Sequence, residues 1–493
     1  MSNGDSQSLD SIEAHVREDL QRQPHLLMML AENALTVADS LRDNYFRNTA
    51  RFIAALRQAA IRRDNPIMQV GSVADADWSQ VESDVVTFID GGIGTAPISS
   101  QQPILLRVGS YSVRTGERRL AEREQFGYYP VILGDIEGTS KDRTDFPDIV
   151  RMTAELLGGL AALDRTPNLD VLLFHGPLVN FMGAYAGHTP FTERDVDIFL
   201  RQYGPDPEIA RQIKEEFLAQ AYVEIYPSMT DSYEEWIERR LFEPLAWIAY
   251  LHRRLIAEAR SRSPVPLIAG VVECGRLREF SEKVLLDRVF HNMRAKGSGD
   301  YFNKMYGRTD LTSPSSILNK LGYHDALLLA MILQPGEYSE PWRISKDQEL
   351  HRGEIALPGA PGKSVVDWGA LRPSSPTGFP RVLGFYIHVS PTTEPVRVEL
   401  YEDLGSAQVA DVARRVYLYS RLLPGYGFPV GLDIADKYAH VPDWLLSAYS
   451  KLIRYHLGVS LQQGDISDAA MRRILVQAIY MTHRDWLFRP STL

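Results

Sequence analysis

The sequence has one cysteine, Cys274, so it can form neither an intrachain disulfide nor a thiolate zinc cluster, and a reducing cytoplasm is the expected compartment. No apolar run reaches the roughly 18 residues that a membrane-spanning helix needs. The longest, Ala326 to Leu333, stops at Gln334-Pro335. The opening residues, MSNGDSQSLD, lack a basic stretch followed by an apolar core, so no secretory signal is expected. Positive charge is not in excess. With 63 acidic and 53 basic side chains the net charge is −10, which argues against a protein that coats nucleic acid over its whole surface. A local basic groove, or carboxylates gathered around a cation, would still be compatible with that balance. The paired arginines, Arg118-Arg119 and Arg253-Arg254 among them, read mostly as solvated helix faces. Two catalytic motifs are missing: the G-x-x-x-x-G-K-[ST] phosphate loop and the G-x-S-x-G nucleophile elbow. There is no internal repeat and no low-complexity tract.

What the chain does have is ordinary globular composition, 44% hydrophobic and 24% charged, over 493 residues, enough for two to three average domains. Up to about residue 63 it reads as amphipathic helix. Leu27, Leu30, Leu35, Val37, Leu41, Phe46, Phe52, Ile53 and Leu56 recur at helical steps, a face for a core or a partner. Strand signals follow: Asp84 to Ile89, closed by a turn at Asp90-Gly91-Gly92, then Pro103 to Val113 and Tyr128 to Leu133. A helix comes next, with Pro147 expected in its first turn and Asp145 as its cap. Val171 to Phe174 is an apolar strand ending at His175-Gly176-Pro177. Residues 181–262 read as mostly helical, with turns at Gly204-Pro205 and near Pro227, and Pro266 to Val272 as another buried strand. Ala326 to Leu333 fits strand or helix, and 352–381, rich in Gly, Pro and Ser, a long loop or hairpin region. Arg381 to Val389 and Pro395 to Leu400 pair as a hairpin, and helix resumes from Ser406 with a break at Pro424 to Pro429. Strands and helices in this order predict an α/β protein.

Four places could carry chemistry. Asp90 ends a buried strand and precedes two glycines, which suits a cation-binding carboxylate at a strand mouth but also an ordinary Asp-Gly turn. Glu155 lies mid-helix between Arg151 and Gly158-Gly159; the glycines cost helix propensity and would let a strand or a substrate come close. The plainer alternative is an Arg151–Glu155 salt bridge. His175 stands at a strand end, where a merely hydrogen-bonded histidine is the common case. Asp433, Asp436 and His440 recur at steps of three and four and can share one helix face, either for a hard cation or a base, or simply solvated.

The ordered set Phe88-Ile89-Asp90-Gly91-Gly92, a helix with Glu155, then Asp170-Val-Leu-Leu-Phe-His175-Gly176-Pro177-Leu178 resembles the NurA nuclease family. Pro266 to Val272, Gln334-Pro335-Gly336-Glu337, Pro395 to Glu399 and Phe428-Pro429 through Ala435-Asp436 fit the same register, so the likeness covers about residues 82 to 460. The resemblance implies an RNase H-like mixed sheet flanked by helices. Residues 1–80 would be a helical N-terminal segment, 81–180 and 263–460 the two parts of the core, 181–262 a helical insertion and 461–493 a C-terminal helical segment. It implies an Mn²⁺- or Mg²⁺-dependent DNA exonuclease and endonuclease, a homodimer docked on a hexameric HerA-type ATPase. Such pairs act in DNA end processing or anti-phage defence. With no phosphate loop here, any ATP-driven step would belong to that partner.

Carried over by position, Asp90 and Glu155 match the family's first two metal carboxylates. His175 stands where aspartate is usual, Asp436 where histidine is usual, and Phe428 near the usual tyrosine, with Tyr426 two residues away. The changes at 175 and 436 are reciprocal, so Asp90, Glu155, His175 and Asp436 keep an inventory of two Asp, one Glu and one His. Such a set suits Mn²⁺ better than Mg²⁺. His440 is an alternative for the histidine role, and a decayed site serving as an adaptor is the alternative to an active one.

Overall fold

Short runs of apolar residues bounded by polar turns build the centre of the molecule. In the computed structural model the described residues are 24–60, 66–95, 103–133, 140–179, 189–201, 207–226, 233–273, 275–306, 308–344, 366–373, 375–405, 408–463, 466 and 468–480. The chain divides into two compact units: Met1–Gln69 with Arg278–Ile332, and Val70–Leu277 with Leu333–Leu493.

The larger unit holds one ten-stranded mixed sheet. Its elements are strands β1 (Val70–Ser72), β2 (Val85–Thr95), β3 (Ile104–Arg114) and β4 (Glu124–Leu133), helix α1 (Ser140–Arg165), β5 (Val171–His175), α2 (Pro244–Arg260), β6 (Leu267–Val272), β7 (Glu337–Ser339), β8 (Trp342–Arg343), β9 (Val382–Ile387), β10 (Val396–Tyr401), α3 (Val409–Ser420) and α4 (Val430–Ala439). The strand order is β1-β7-β9-β10-β6-β5-β2-β3-β4, with β8 alongside β9. β2, β5 and β6 run parallel, while β3 and β4 are antiparallel additions to β2. The meander β2-β3-β4 followed by two parallel strands on the other side of β2 is the RNase H-like arrangement. β9 and β10 form the expected hairpin, antiparallel to each other and, through β10, to β6.

β5 lies at the middle because Val171-Leu172-Leu173-Phe174 is apolar on both faces, as a strand covered on both sides must be. One face, carrying Val86, Phe88, Leu173, Ala269, Val271 and Val398, packs on Val412 and Val416 of α3 and Leu432 and Ala435 of α4. The other is covered by α1. Gly159 there lets the helix meet the sheet: a Cβ at that position would stand 2.4 Å from Phe174 Cζ. At the start of β2, Asp84 is held by Arg415 (Nε to Oδ2, 2.8 Å) and by the Tyr419 hydroxyl (2.9 Å), which ties α3 to the sheet.

Several local expectations are corrected. β2 does not turn at Asp90 but continues through its glycines to Thr95, paired with β3 all the way. β4 starts at Glu124, four residues before Tyr128. α1 starts at Ser140, so Pro147 lies inside it and Asp145 is not its cap; the proline removes one backbone donor, and the apolar face from Phe146 to Leu160 still holds the helix to the sheet. Asp325–Ala330 is helical, with the His324 ring accepting from Leu327 N at its start. Gly204-Pro205, Pro227 and half of 352–381 lie outside the described residues.

The smaller unit is helical in its described part. Phe52 packs edge-on against Phe302 at 5.4 Å, and Phe302 stacks on Phe290 at 5.1 Å. Phe52, Ile53 and Leu56 are core residues, whereas Leu30, Leu35, Val37, Leu41 and Phe46 are exposed. Among the described residues of the chain, no helix is long and apolar enough to cross a membrane.

A buried histidine gives the larger unit a defined acid sensitivity. His252 of α2 is 1% exposed, its Nδ1 2.7 Å from the Tyr401 hydroxyl, and burial followed by the nearby charge of Arg253 pushes its pKa down to about 3. A folded-state value below the unfolded one means stability is full above the unfolded pKa of about 6.5 and is lost as pH falls toward 3, at roughly 1.4 kcal/mol per pH unit. Buried Glu243, raised to about 7 by desolvation, works in the opposite sense between pH 7 and 4.5, so the total slope masks the histidine. The comparison to make is therefore wild type against His252→Gln by urea denaturation. The variant is expected to gain on wild type steadily between pH 6 and 4; parallel curves would refute the assignment.

Candidate metal centre at the mouth of the central strands

Parallel pairing of β2 and β5 aligns Ile89 with Phe174, so the next residues along, Asp90 and His175, lie side by side at the end of β5. Both share the face that carries Phe88 and Leu173, because side chains alternate along a strand. His175 Nδ1 is 2.9 Å from Asp90 Oδ2, while Asp90 Oδ1 accepts the Gly91 amide at 2.8 Å. Asp436 reaches the same point from α4. One donor atom from each of Asp90, His175 and Asp436 lies within 4.8 Å of the others. Asp90 is buried, His175 half-buried and Asp436 exposed, so solvent reaches the cluster from the α4 side.

Glu155 approaches from the opposite face of the sheet and is not one of these three. The absence of a side chain at Gly91 admits it: a Cβ there would stand 2.6 Å from Glu155 Oε1. Arg151, one turn earlier, donates from Nη1 to Oε1 at 2.9 Å and lies 3.5 Å from Asp148. The simple salt bridge therefore exists, and beside it the carboxylate interacts with the charges of Asp90 and His175. Asp433 and His440 fall outside the cluster. Asp433 is bound by Lys437 at 3.0 Å and by the Tyr426 hydroxyl, and the backbone carbonyl of His440 accepts from Arg107 Nη1 at 3.0 Å. Phe428 is buried, its ring 5.3 Å from that of His175.

The charges are crowded. Burial, then the neighbouring Asp90 carboxylate, push the Glu155 carboxyl up to about 7 against the pull of Arg151. Burial and Asp90 likewise raise Asp436. Burial opposes charging of His175, but the Asp90 hydrogen bond and the carboxylates around it outweigh that and hold the imidazole above its usual value. Two carboxylates at this distance repel unless a positive charge sits between them.

Glycines seat α4 on the strands. A Cβ at Gly92 would meet the Ala439 carbonyl at 2.2 Å, and one at Gly109 the Ala435 carbonyl at 2.3 Å. One at Gly431 would strike the Phe88 ring at 2.3 Å. Gly91-Gly92 has the sequence of a turn yet lies inside β2, and Gly109, Gly431 and Arg107 belong to no motif. An isolated glycine inside a strand is a signal of close backbone approach, and it was available at Gly109; nothing marked Arg107.

An α/β chain with an acidic and histidine cluster at the mouth of its central parallel strands is the class that this fold and site define. The NurA domain profile matches residues 84–441, and the chain belongs to the NurA family. Similar solved structures include the NurA nuclease from Sulfolobus solfataricus, with 14% identity, 88% of this chain and 98% of that one covered and a TM-score of 0.44. A NurA structure with manganese has 10% identity, coverage of 88% and 97% and a TM-score of 0.34. A NurA bound to dAMP and manganese has 10% identity, coverage of 96% and 99% and a TM-score of 0.33. No curated protein matches the chain by sequence.

The seating of α4 is directly testable. Gly109→Ala must displace the backbone of α4, and with it Asp436, at a cost of about 1–3 kcal/mol from overpacking. Gly127→Ala, whose Cβ would find its nearest neighbour at 3.5 Å, is the control and is expected to stay within about 0.5 kcal/mol of wild type. Equal melting temperatures for the two variants would contradict the close packing.

Proposed function

We propose that the chain is a divalent-cation-dependent DNA nuclease whose site is formed by Asp90, His175 and Asp436 with Glu155 beside them. The observation that carries this reading is the approach of three donor atoms to within 4.8 Å of one another, at residues that the sequence resemblance had singled out independently. The donor set fits a cation. It joins two carboxylates and an imidazole, burial and Asp90 raise the Asp436 carboxyl, and Asp436 is exposed to solvent. Mixed oxygen and nitrogen donors favour Mn²⁺ over Mg²⁺.

Asp90 is the central ligand, because it contacts His175 directly and adjoins both Asp436 and Glu155. His175 and Asp436 replace each other's usual residue types, and their meeting at one point supports an exchange that preserves the ligand inventory. Glu155 adds a carboxylate from the far side, oriented by Arg151. When bound, a divalent cation would supply Lewis-acid polarisation of the scissile phosphodiester and activation of the attacking water. The protein's own contribution is to hold those acceptors at fixed positions at the end of a rigid sheet. Translocation along DNA would fall to a hexameric HerA-type ATPase, with this chain as a homodimer in DNA end processing or anti-phage defence.

The test is Mn²⁺-dependent cleavage of linear DNA by the full-length protein. Asp90→Asn and Glu155→Gln are expected to lose at least 100-fold in rate, and His175→Ala and Asp436→Ala 10-fold or more. Full activity in both of the last two would sink the ligand exchange. The other reading, an adaptor with a decayed site, favoured by the departures at 175, 428 and 436, predicts no cleavage and no heat of Mn²⁺ binding by wild type.

A further inference from the structure

On the sheet face opposite the Asp90–His175 pair lies a second charged pair that the site as described does not use. Arg397 and Glu399 of β10 are 5% and 0% exposed, and Arg397 Nε donates to Glu399 Oε1 at 3.0 Å. The other carboxylate oxygen, Oε2, accepts the backbone amide of Leu178 at 3.0 Å. Leu178 lies three residues beyond His175, in the segment that leaves β5. That segment crosses directly over Gly270 of β6: a Cβ on Gly270 would stand 2.6 Å from the Gly176 carbonyl and 2.9 Å from Leu178 N. Glu399 is the register partner of Gly270, so its side chain rises beside the crossing point. Gly176, with φ of +101°, makes the turn, and its amide is fixed to the Val271 carbonyl at 2.8 Å. The Arg397 guanidinium also stands 3.0 Å from the Cβ position of Gly275, just past the end of β6.

A fully desolvated ion pair is a poor source of stability, since apolar residues of similar size commonly do as well or better. What it can supply is one defined geometry. Here each carboxylate oxygen has its own donor, one from Arg397 and one from the backbone that follows His175. Groups that orient a metal-binding imidazole matter to affinity nearly as much as the ligand itself.

The geometry points to Glu399 as a positioning residue for His175. Through the Leu178 amide it fixes the chain leaving β5, and so the angle at which the imidazole meets Asp90, while Arg397 holds Glu399 in place. Glutamine cannot substitute. Its single oxygen satisfies either Arg397 or the Leu178 amide, and its NH₂ group then faces the other donor.

Two measurements on the full chain test this, and only the second rests on the cation-site reading. The first is the side-chain ¹⁵N spectrum of histidine-labelled, metal-free protein at one pH, with His175 assigned by its disappearance in His175→Asn. In Glu399→Gln the His175 Nδ1 resonance is expected to shift or split; an unchanged resonance overturns the proposal. If that variant does not fold, the double substitution Arg397→Met with Glu399→Met carries the same test, because it removes both charges of the pair together. Retained melting temperature with an altered His175 signal then supports positioning, and an unaltered signal overturns it. The second measurement is calorimetric titration with Mn²⁺ alone. Affinity is expected to fall about 10–100-fold in either variant, and affinity within twofold of wild type overturns the role. Wild-type protein that takes up no Mn²⁺ would instead overturn the cation site, with the imidazole spectrum still deciding the part played by Glu399.

Discussion

The site depends on backbone lying directly against backbone. α4 can bring Asp436 to Asp90 and His175 only because β2 and β3 offer it glycines: at Gly92 and Gly109 the helix carbonyls occupy the space a side chain would fill. Gly431 grants the reciprocal allowance, giving its own vacant volume to the Phe88 ring. An ordinary side chain at these positions would hold the helix backbone further from the strands, and Asp436 with it. Closeness here is therefore a property of what three positions lack, and it sets the distances among the three donors.

The same economy appears on the other face. Gly91 admits Glu155 and Gly159 admits Phe174, so α1 is pinned at one point by apolar contact and at another by the carboxylate next to Asp90. Arg151 then keeps Glu155 from being an isolated buried charge. The result is a sheet end with acidic groups arriving from both sides and a histidine between them. Burial and the neighbouring Asp90 raise the carboxyl pKa of both Glu155 and Asp436 there.

Much of this was legible in the sequence where local patterns are strong. The apolar run Val171 to Phe174 marks a central strand, and the run at Pro266 to Val272 marks its parallel neighbour. The ordered spacing of Asp90, Glu155, His175 and Asp436 carried the family resemblance. What was not legible depends on contacts between distant segments. Gly91-Gly92 looks like a turn because glycine's commonest local role is a turn; only the presence of α4 above it explains why the strand continues. Pro147 looks like a helix start because proline is tolerated there, yet the helix runs through it from Ser140. Asp433, Asp436 and His440 have the same periodicity, and nothing along the chain says that Lys437 and Tyr426 take up the first while only the second turns toward the strands.

The three donors come from residues 90, 175 and 436, so the cluster draws on both ends of a long stretch of polypeptide. The first two lie on adjacent paired strands and are the earlier made. The third belongs to a helix whose seat on β2 and β3 can be filled only after the hairpin of β9 and β10 and the whole of α3 have left the ribosome. Closing so large a loop is also among the slower steps of folding. A chain that stops short of α4 thus lacks the third donor, and the three meet only once residue 436 has been made and folded into place.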